Sequence, residues 1–417
     1  MNEGEAVYSS YRWLMMLVVS MTMTACYMNM VAYAPILGEI AKGLGAEMGT
    51  ATNLMTGFVL AAAIVMIWGG VISDKYGVTA ALVLGLLCTS VPAVLAPWIG
   101  GSYGAVLVAR LIQGTSLGFT IAAIGPIAAL WFPLKEQGIA IGVMVGCISL
   151  GSALGVVLSP MVFEAVGSWQ KTVALLSIPG WVAMALSLLI TRRPPNPKVV
   201  SAITEGMKLA KGEEMTLGKA FATPILWIGC SMAFFQALGF YCLYSLVPPY
   251  LASPAPMGLG FGPVTAGKFS FALTVIGMIS TIAGGLFFDK VAKGRSRPAP
   301  WITYVVVGFF TYSILTPTVY HHYALLVICL MFAGFGIQFM SPTTMGTIAK
   351  TFPPNIVGRM VGFLAGFGTF GGPVGLFLAG LAITKTGNFK WALSITSMAC
   401  MAGFILTFFF QAKKHET

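Results

Sequence analysis

The chain has 417 residues, 57% of them hydrophobic and only 8% charged, with a formal net charge of +11. Soluble domains carry roughly 25% charged residues, so a water-soluble globule is excluded; the basic residues are scattered over short loops with no recognition element, which excludes a nucleic-acid partner. A mean hydropathy of +0.88 assigns the chain to the lipid bilayer as an integral membrane protein.

Each helical span needs roughly 20 apolar residues, so the length holds about a dozen. In chain order, apolar segments are predicted at 13–37, 50–72, 79–99, 103–130, 138–163 and 170–191, then at 223–251, 265–288, 299–318, 323–349, 357–384 and 389–411. The first resembles a signal anchor, but it is too long for a cleaved leader and is kept as a span. Alternating strands of about 10 residues are not seen, which argues against a β-barrel. With both termini and the even-numbered loops on one side, 17 of the 23 basic residues fall on that side. The positive-inside rule then makes it the cytoplasm, in a multi-pass protein of the inner or plasma membrane.

The seven cysteines all lie in predicted spans without a CxxC, so neither a disulfide framework nor a zinc site is expected. Three histidines, His321, His322 and His415, are peripheral. They cannot assemble a nucleophilic triad with two aspartates at helix ends, so an enzyme is not expected and no cofactor or metal is called for.

The second half repeats the first. Gly138, Gly142, Gly146, Gly151 and Gly155 recur 220 positions later as Gly358, Gly362, Gly366, Gly371 and Gly375; Phe132-Pro133 recurs as Phe352-Pro353 and Gly167 as Gly387. Tyr27 and Pro35 recur as Tyr241 and Pro249 at an offset of 214. Internal repeats mark transporter folds. In lipid, small residues every four positions let helix backbones approach. The expected organisation is a first bundle over 1–191, a polar linker over 192–222 with a short amphipathic helix, and a second bundle over 223–417.

The only aspartates close matching phrases, Gly69-Gly70-Val71-Ile72-Ser73-Asp74-Lys75 and Gly284-Gly285-Leu286-Phe287-Phe288-Asp289-Lys290. A carboxylate near a helix N-terminus gains about 0.3–1 kcal/mol from the dipole. Gly70-x-x-x-Asp74-Lys75-x-Gly77, its copy at Gly285-x-x-x-Asp289-Lys290 and the phrase Arg110-Leu111-Ile112-Gln113-Gly114 resemble the loop and fourth-span signatures of the major facilitator superfamily. Val78-Thr79 departs from that loop's usual basic pair. The resemblance implies an all-α membrane protein with two pseudo-symmetric six-helix bundles around a central cavity, working by alternating access as a monomer. It further implies gate latches: Asp74 onto the start of the eleventh helix near Gly358 and Arg359, and Asp289 onto the start of the fifth near Gly138.

No acid falls deep in a span, which leaves Arg110 and Lys268 as the charges inside the bundle. An ionisable group in the membrane is costly and a functional candidate. Arg110 is read either as a substrate or coupling residue or as a brace, Lys268 as a ligand or as snorkelling to the interface. Tyr27, Asn29, Gln236, Tyr241, Tyr244 and Gln338 are the polar and aromatic candidates for the cavity wall. An acid-free cavity argues against exchange of a proton for a cationic drug, as does Gly151-Ser152-Ala153-Leu154-Gly155-Val156 where exporters have a Gly-Pro pair. Trp131-Phe132-Pro133 through Gly138-Ile139-Ala140-Ile141-Gly142 is similar to the oxalate/formate-antiporter and monocarboxylate-transporter relatives. The function expected is secondary transport of a small organic anion, a mono- or dicarboxylate, with a coupling proton or counter-anion; the alternative is a proton-coupled drug or neutral-solute transporter of the same fold.

Overall fold

A computed structural model describes residues 9–194, 196–197, 199, 201, 216–293, 295–352 and 356–410. Twelve helical spans carry the fold: α1 Arg12–Val31, α2 Met48–Trp68, α3 Lys75–Val94, α4 Tyr103–Trp131, α5 Glu136–Val166, α6 Trp169–Ile190, α7 Pro224–Ala252, α8 Gly262–Leu286, α9 Pro298–Ile314, α10 Tyr323–Ile348, α11 Arg359–Thr386 and α12 Phe389–Thr407. All but α9 are long and apolar enough to cross a bilayer. With 17 residues, α9 is about 26 Å long, slightly short of the roughly 30 Å hydrocarbon core.

The spans form two six-helix bundles. In the first, α1 packs on α5 and α6, and α2 on α4; in the second, α7 packs on α11 and α12, and α8 on α10. The bundles meet where α2 faces α11 and α5 faces α8. Most of the predicted linker, and with it the proposed amphipathic helix, lies outside the described residues; a short helix at Leu217–Phe221 leads into α7.

The sequence repeat is reproduced in backbone geometry. Gly167 and Gly387 end α5 and α11 with φ of 65° each, a left-handed conformation that glycine adopts without strain. Ser168 and Asn388, the residues that follow, each accept a backbone N–H in the first turn of the next helix. Gly114 of α4 lies against the Phe58 backbone of α2, and Gly334 of α10 against the Leu273 backbone of α8. A side chain at either would drive the helices apart, which is why both places are glycine.

The predicted spans over 103–130, 323–349 and 357–384 are interrupted where the sequence reading had them continuous. Breaks fall at Ala123, Met340 and Phe370, each within three residues before a proline, Pro126, Pro342 or Pro373. A helix-interior proline has no N–H and its ring displaces the carbonyl four residues earlier. The groups so affected are the carbonyls of Ala122, Gln338 and Thr369.

Candidate functional site

Arg110 is 0% exposed. Its Nε donates to the Leu54 carbonyl of α2 at 3.3 Å, and its terminal nitrogens donate to the α1 carbonyls of Asn29 at 3.2 Å and Met30 at 3.0 Å and to Gln113 Oε1 at 3.1 Å. The guanidinium carbon lies 4.2 Å from the Tyr33 ring centroid and 4.4 Å from that of Phe58. Gln113 passes the network on, donating to the Thr89 carbonyl of α3 at 3.2 Å. Spacings of three and four put Arg110, Gln113 and Gly114 on one helix face, so Arg110-Leu111-Ile112-Gln113-Gly114 ties α4 to α1, α2 and α3. Arg110 thus sits inside the first bundle and has no surface open to a passage in this state. Asn29 is equally internal: 1% exposed, it donates to the Ala25 carbonyl at 3.0 Å.

Lys268 is the second charge expected within a span. It is exposed near the outer end of α8, next to Gly267.

Glycines along α5, α8 and α11 differ in what stands opposite them. Toward the end opposite the basic loops, a Cβ on Gly380 of α11 would lie 3.1 Å from the Gly49 carbonyl oxygen of α2, and one on Gly267 of α8 would lie 3.0 Å from Pro160 of α5. Nearer mid-membrane, Gly366 meets Ile67 and Gly146 meets Met278, at 2.7 and 3.2 Å from the corresponding Cβ positions. Below that level Gly138, Gly142 and Gly362 meet no described atom within 4 Å. Contacts between the bundles are thus seen from the end opposite the basic loops as far as the repeat pair Gly146 and Gly366.

Four of the expected wall residues are buried or partly buried side chains of α1, α7 and α10. Tyr27 and Tyr241 are 3% and 4% exposed, and Tyr241 lies against Gly372 of α11, where a side chain would collide with its ring. Tyr244 is packed on Phe240 with ring centroids 4.3 Å apart. Gln338 is partly exposed. Gln236 has a different place: its amide nitrogen donates to the Ile337 carbonyl and to Ser341 Oγ, both at 2.7 Å, so it clamps α10 on either side of Gln338. Ser149, Thr274, Gly277 and Ser341 also belong to this region and were not singled out from sequence. Small hydroxylated residues are common along spans, and only the fold distinguishes these from the rest.

At the basic-loop end, Gly77 breaks the helix after Lys75 with φ 82° and ψ 165°. Lys75, Lys290 and Arg359 are exposed. A π-helical turn, Phe287–Val291, carries Asp289, and Gly70 lies in the helical stretch Met48–Val94; the side chains of Asp74 and Asp289 lie outside the described residues. An ion pair that sequence reading missed joins α1 to α5 here, Arg12 to Glu136 at 3.1 Å. Tyr11 and Trp131 pack beside it with centroids 5.7 Å apart. The cysteines are all free thiols, and no cluster of metal-binding side chains occurs among the described residues. A concave surface of about 670 Å³ between α3 and α4 is walled by apolar residues such as Leu87, Val91 and Ile112, on the flank of the first bundle.

Two pseudo-symmetric six-helix bundles packed face to face define the architecture of the chain. The Major Facilitator Superfamily profile matches residues 15–317 and 296–417, and the chain belongs to that family. Among its relatives, a gentisate transporter of Corynebacterium glutamicum is 23% identical over 390 residues, covering 90% of this chain and 81% of the relative. A probable chloroplastic anion transporter of Oryza sativa subsp. japonica is 21% identical over 406 residues, 91% and 76% of the two chains. A hexuronate transporter of Bacillus subtilis is 23% identical over 375 residues, 86% and 84%. Solved structures agree in fold: a D-xylose-proton symporter has a TM-score of 0.74 at 16% identity, covering 98% of this chain and 100% of that one. The xylose transporter XylE from E. coli in a partially occluded inward-open conformation has a TM-score of 0.75 at 15% identity, with 98% and 100% coverage. This chain is a membrane transport protein and not an enzyme.

Proposed function

We propose that the chain carries a small organic anion, a mono- or dicarboxylate, across the cell membrane by alternating access, as a single chain with basic loops and both termini in the cytoplasm. The observation that carries this reading is the wholly buried Arg110, whose partners are all neutral. The paired acids, Glu39 and Glu136, are bound to Lys42 and Arg12 elsewhere. Carbonyls and an amide satisfy the guanidinium's hydrogen bonds but leave its charge, and an unneutralised cation in a low-dielectric surrounding favours an anion nearby. Gentisate and hexuronate, the substrates for which two relatives are named, are both carboxylates, which supports the same class here. On this orientation Asp74 and Asp289 are the latches that hold the cytoplasmic gate shut.

Counterflow in proteoliposomes tests the reading. Vesicles preloaded with individual mono- and dicarboxylates are expected to accumulate labelled carboxylate, whereas uptake confined to neutral or cationic solutes overturns the anion assignment. Proton symport predicts uptake into empty vesicles driven by an imposed pH gradient; anion exchange requires a carboxylate inside.

A further inference from the structure

The basic residues between α8 and α9 lie beside an apolar groove on the outer flank of the second bundle. From Lys290 to His415 the chain contains no acidic residue. Lys293 and Arg295 are exposed, and two hydrogen bonds hold their loop against the end of α12: Ser296 Oγ donates to the Phe410 carbonyl at 3.1 Å and Arg297 Nη2 to the Phe408 carbonyl at 2.7 Å. Next to this junction Trp301 and Phe408 pack with ring centroids 5.8 Å apart, and Phe408 packs on Phe404 at 5.3 Å. Phe404 begins the wall of a groove of about 380 Å³ between α9 and α12. Val305, Phe309 and Met401 on its rim are each more than half exposed, while Cys400 is buried. A Cβ on Gly308 would lie 3.3 Å from Cys400 Cβ, so the glycine keeps the groove deep.

The spacing of loop and groove matches a lipid. The groove follows α9 from Tyr304 to Tyr312, which begins about 10 Å and ends about 22 Å along the helix from Arg297. One leaflet's share of the hydrocarbon core is about 15 Å, so an acyl chain whose phosphate rests on the loop runs along this groove. The shortness of α9 draws the bilayer boundary toward its ends, and Trp301 is of the residue type that favours such a boundary. Charge then selects the headgroup: basic residues beside the membrane surface attract anionic lipids, and arginine can bind a phosphate through two N–H groups. The larger groove between α3 and α4 lacks that selection, because residues 95–104, which lead from one helix into the other there, carry no charge. We infer that Lys293, Arg295 and Arg297, with the groove between α9 and α12, hold an anionic phospholipid of the leaflet on the basic-loop side. Its phosphate sits on the loop and one tail lies against Gly308. The site is on the flank away from the α2–α11 and α5–α8 contacts, so it stands independently of which solute the chain carries.

Native mass spectrometry of the full detergent-solubilised chain, titrated with dioleoylphosphatidylglycerol or dioleoylphosphatidylcholine, tests the assignment. Wild type is expected to retain one phosphatidylglycerol about tenfold or more tightly than phosphatidylcholine. Arg295→Gln and Lys293→Gln should each lower that preference about fivefold, the worth of one basic residue at a membrane surface. Arg192→Gln, the same loss of charge at the same end of the first bundle, should leave it unchanged. Gly308→Leu should weaken retention of both lipids without altering the preference, and Val305→Phe, on the exposed rim, tests the same point if Gly308→Leu does not fold. Equal retention of the two lipids, or a loss with Arg192→Gln as large as with Arg295→Gln, overturns the site. Unchanged retention in the groove variants overturns the seat of the tail.

Discussion

The two bundles share helices, caps and glycine seams, yet they place their polar residues differently. Where the first bundle has Arg110, the repeat position 220 residues later holds Leu330, and where it has Gln113 the second holds Ala333, both 0% exposed. The second bundle instead has Gln338 opposite Gly118, and with Tyr241 and Tyr244 it turns polar atoms toward the interface. One scaffold is thus held by a buried cation on backbone carbonyls and the other by apolar packing at the same place. The charge is not a requirement of the helical architecture; it is a property of one half, with an electrostatic consequence for the space between them.

The strongest test of that contrast is Arg110→Met against Leu330→Met. The first strips donors from the carbonyls of Leu54, Asn29 and Met30 and should cost on the order of 3 kcal/mol or more in detergent unfolding. The second should stay below about 1.5 kcal/mol, and equal losses would break the contrast. Arg110→Lys should not restore the first bundle, because an ammonium cannot present a planar fork to several helices. Gly114→Val and Gly334→Val probe what the halves share: each forces a side chain into a neighbouring backbone and should cost roughly 1–3 kcal/mol or more, by similar amounts. A large inequality between them would show that the repeat is not energetically equivalent.

Gln236→Leu sharpens the picture of the second bundle. Leaving the Ile337 carbonyl without its donor should cost about 1–3 kcal/mol, and loosening α10 around Gln338 should raise the apparent KM for the transported anion. Unchanged stability and KM would remove Gln236 from the site's support. Glu136→Gln, breaking a pair whose side chains are 17% and 33% exposed, should cost no more than about 1 kcal/mol. Smallest in stability is Gly142→Val, which meets no described atom: the unfolding temperature should hold while turnover falls, because closing the basic-loop end brings α5 against α8. Full turnover in that variant would argue against closure along this seam.

Much of the fold was legible because its causes are local. Span length follows from hydropathy, and Gly167 with Gly387, or Phe132 with Phe352, needed only a self-comparison. The site was less legible. Tyr27, Asn29, Gln236, Tyr241, Tyr244, Gln338 and Lys268 could all be nominated as polar groups in apolar spans, but nothing in that rule separates the buried ones from the exposed Lys268 or says which helix each faces. Gln113 had a signal in its spacing from Arg110; Ser149 and Gly277 had none, since their significance comes from the helices they face.

By itself the sequence determined that this is a duplicated, twelve-span membrane protein, because the cost of placing polar groups in hydrocarbon constrains composition residue by residue. Only the tertiary structure decided what each embedded polar group does. Helix rotation and the depth of packing put Arg110 on the carbonyls of its own bundle and Ser149 opposite Tyr244 across the interface. Those contacts join residues 80 and 95 positions apart in the chain, and no local pattern encodes them.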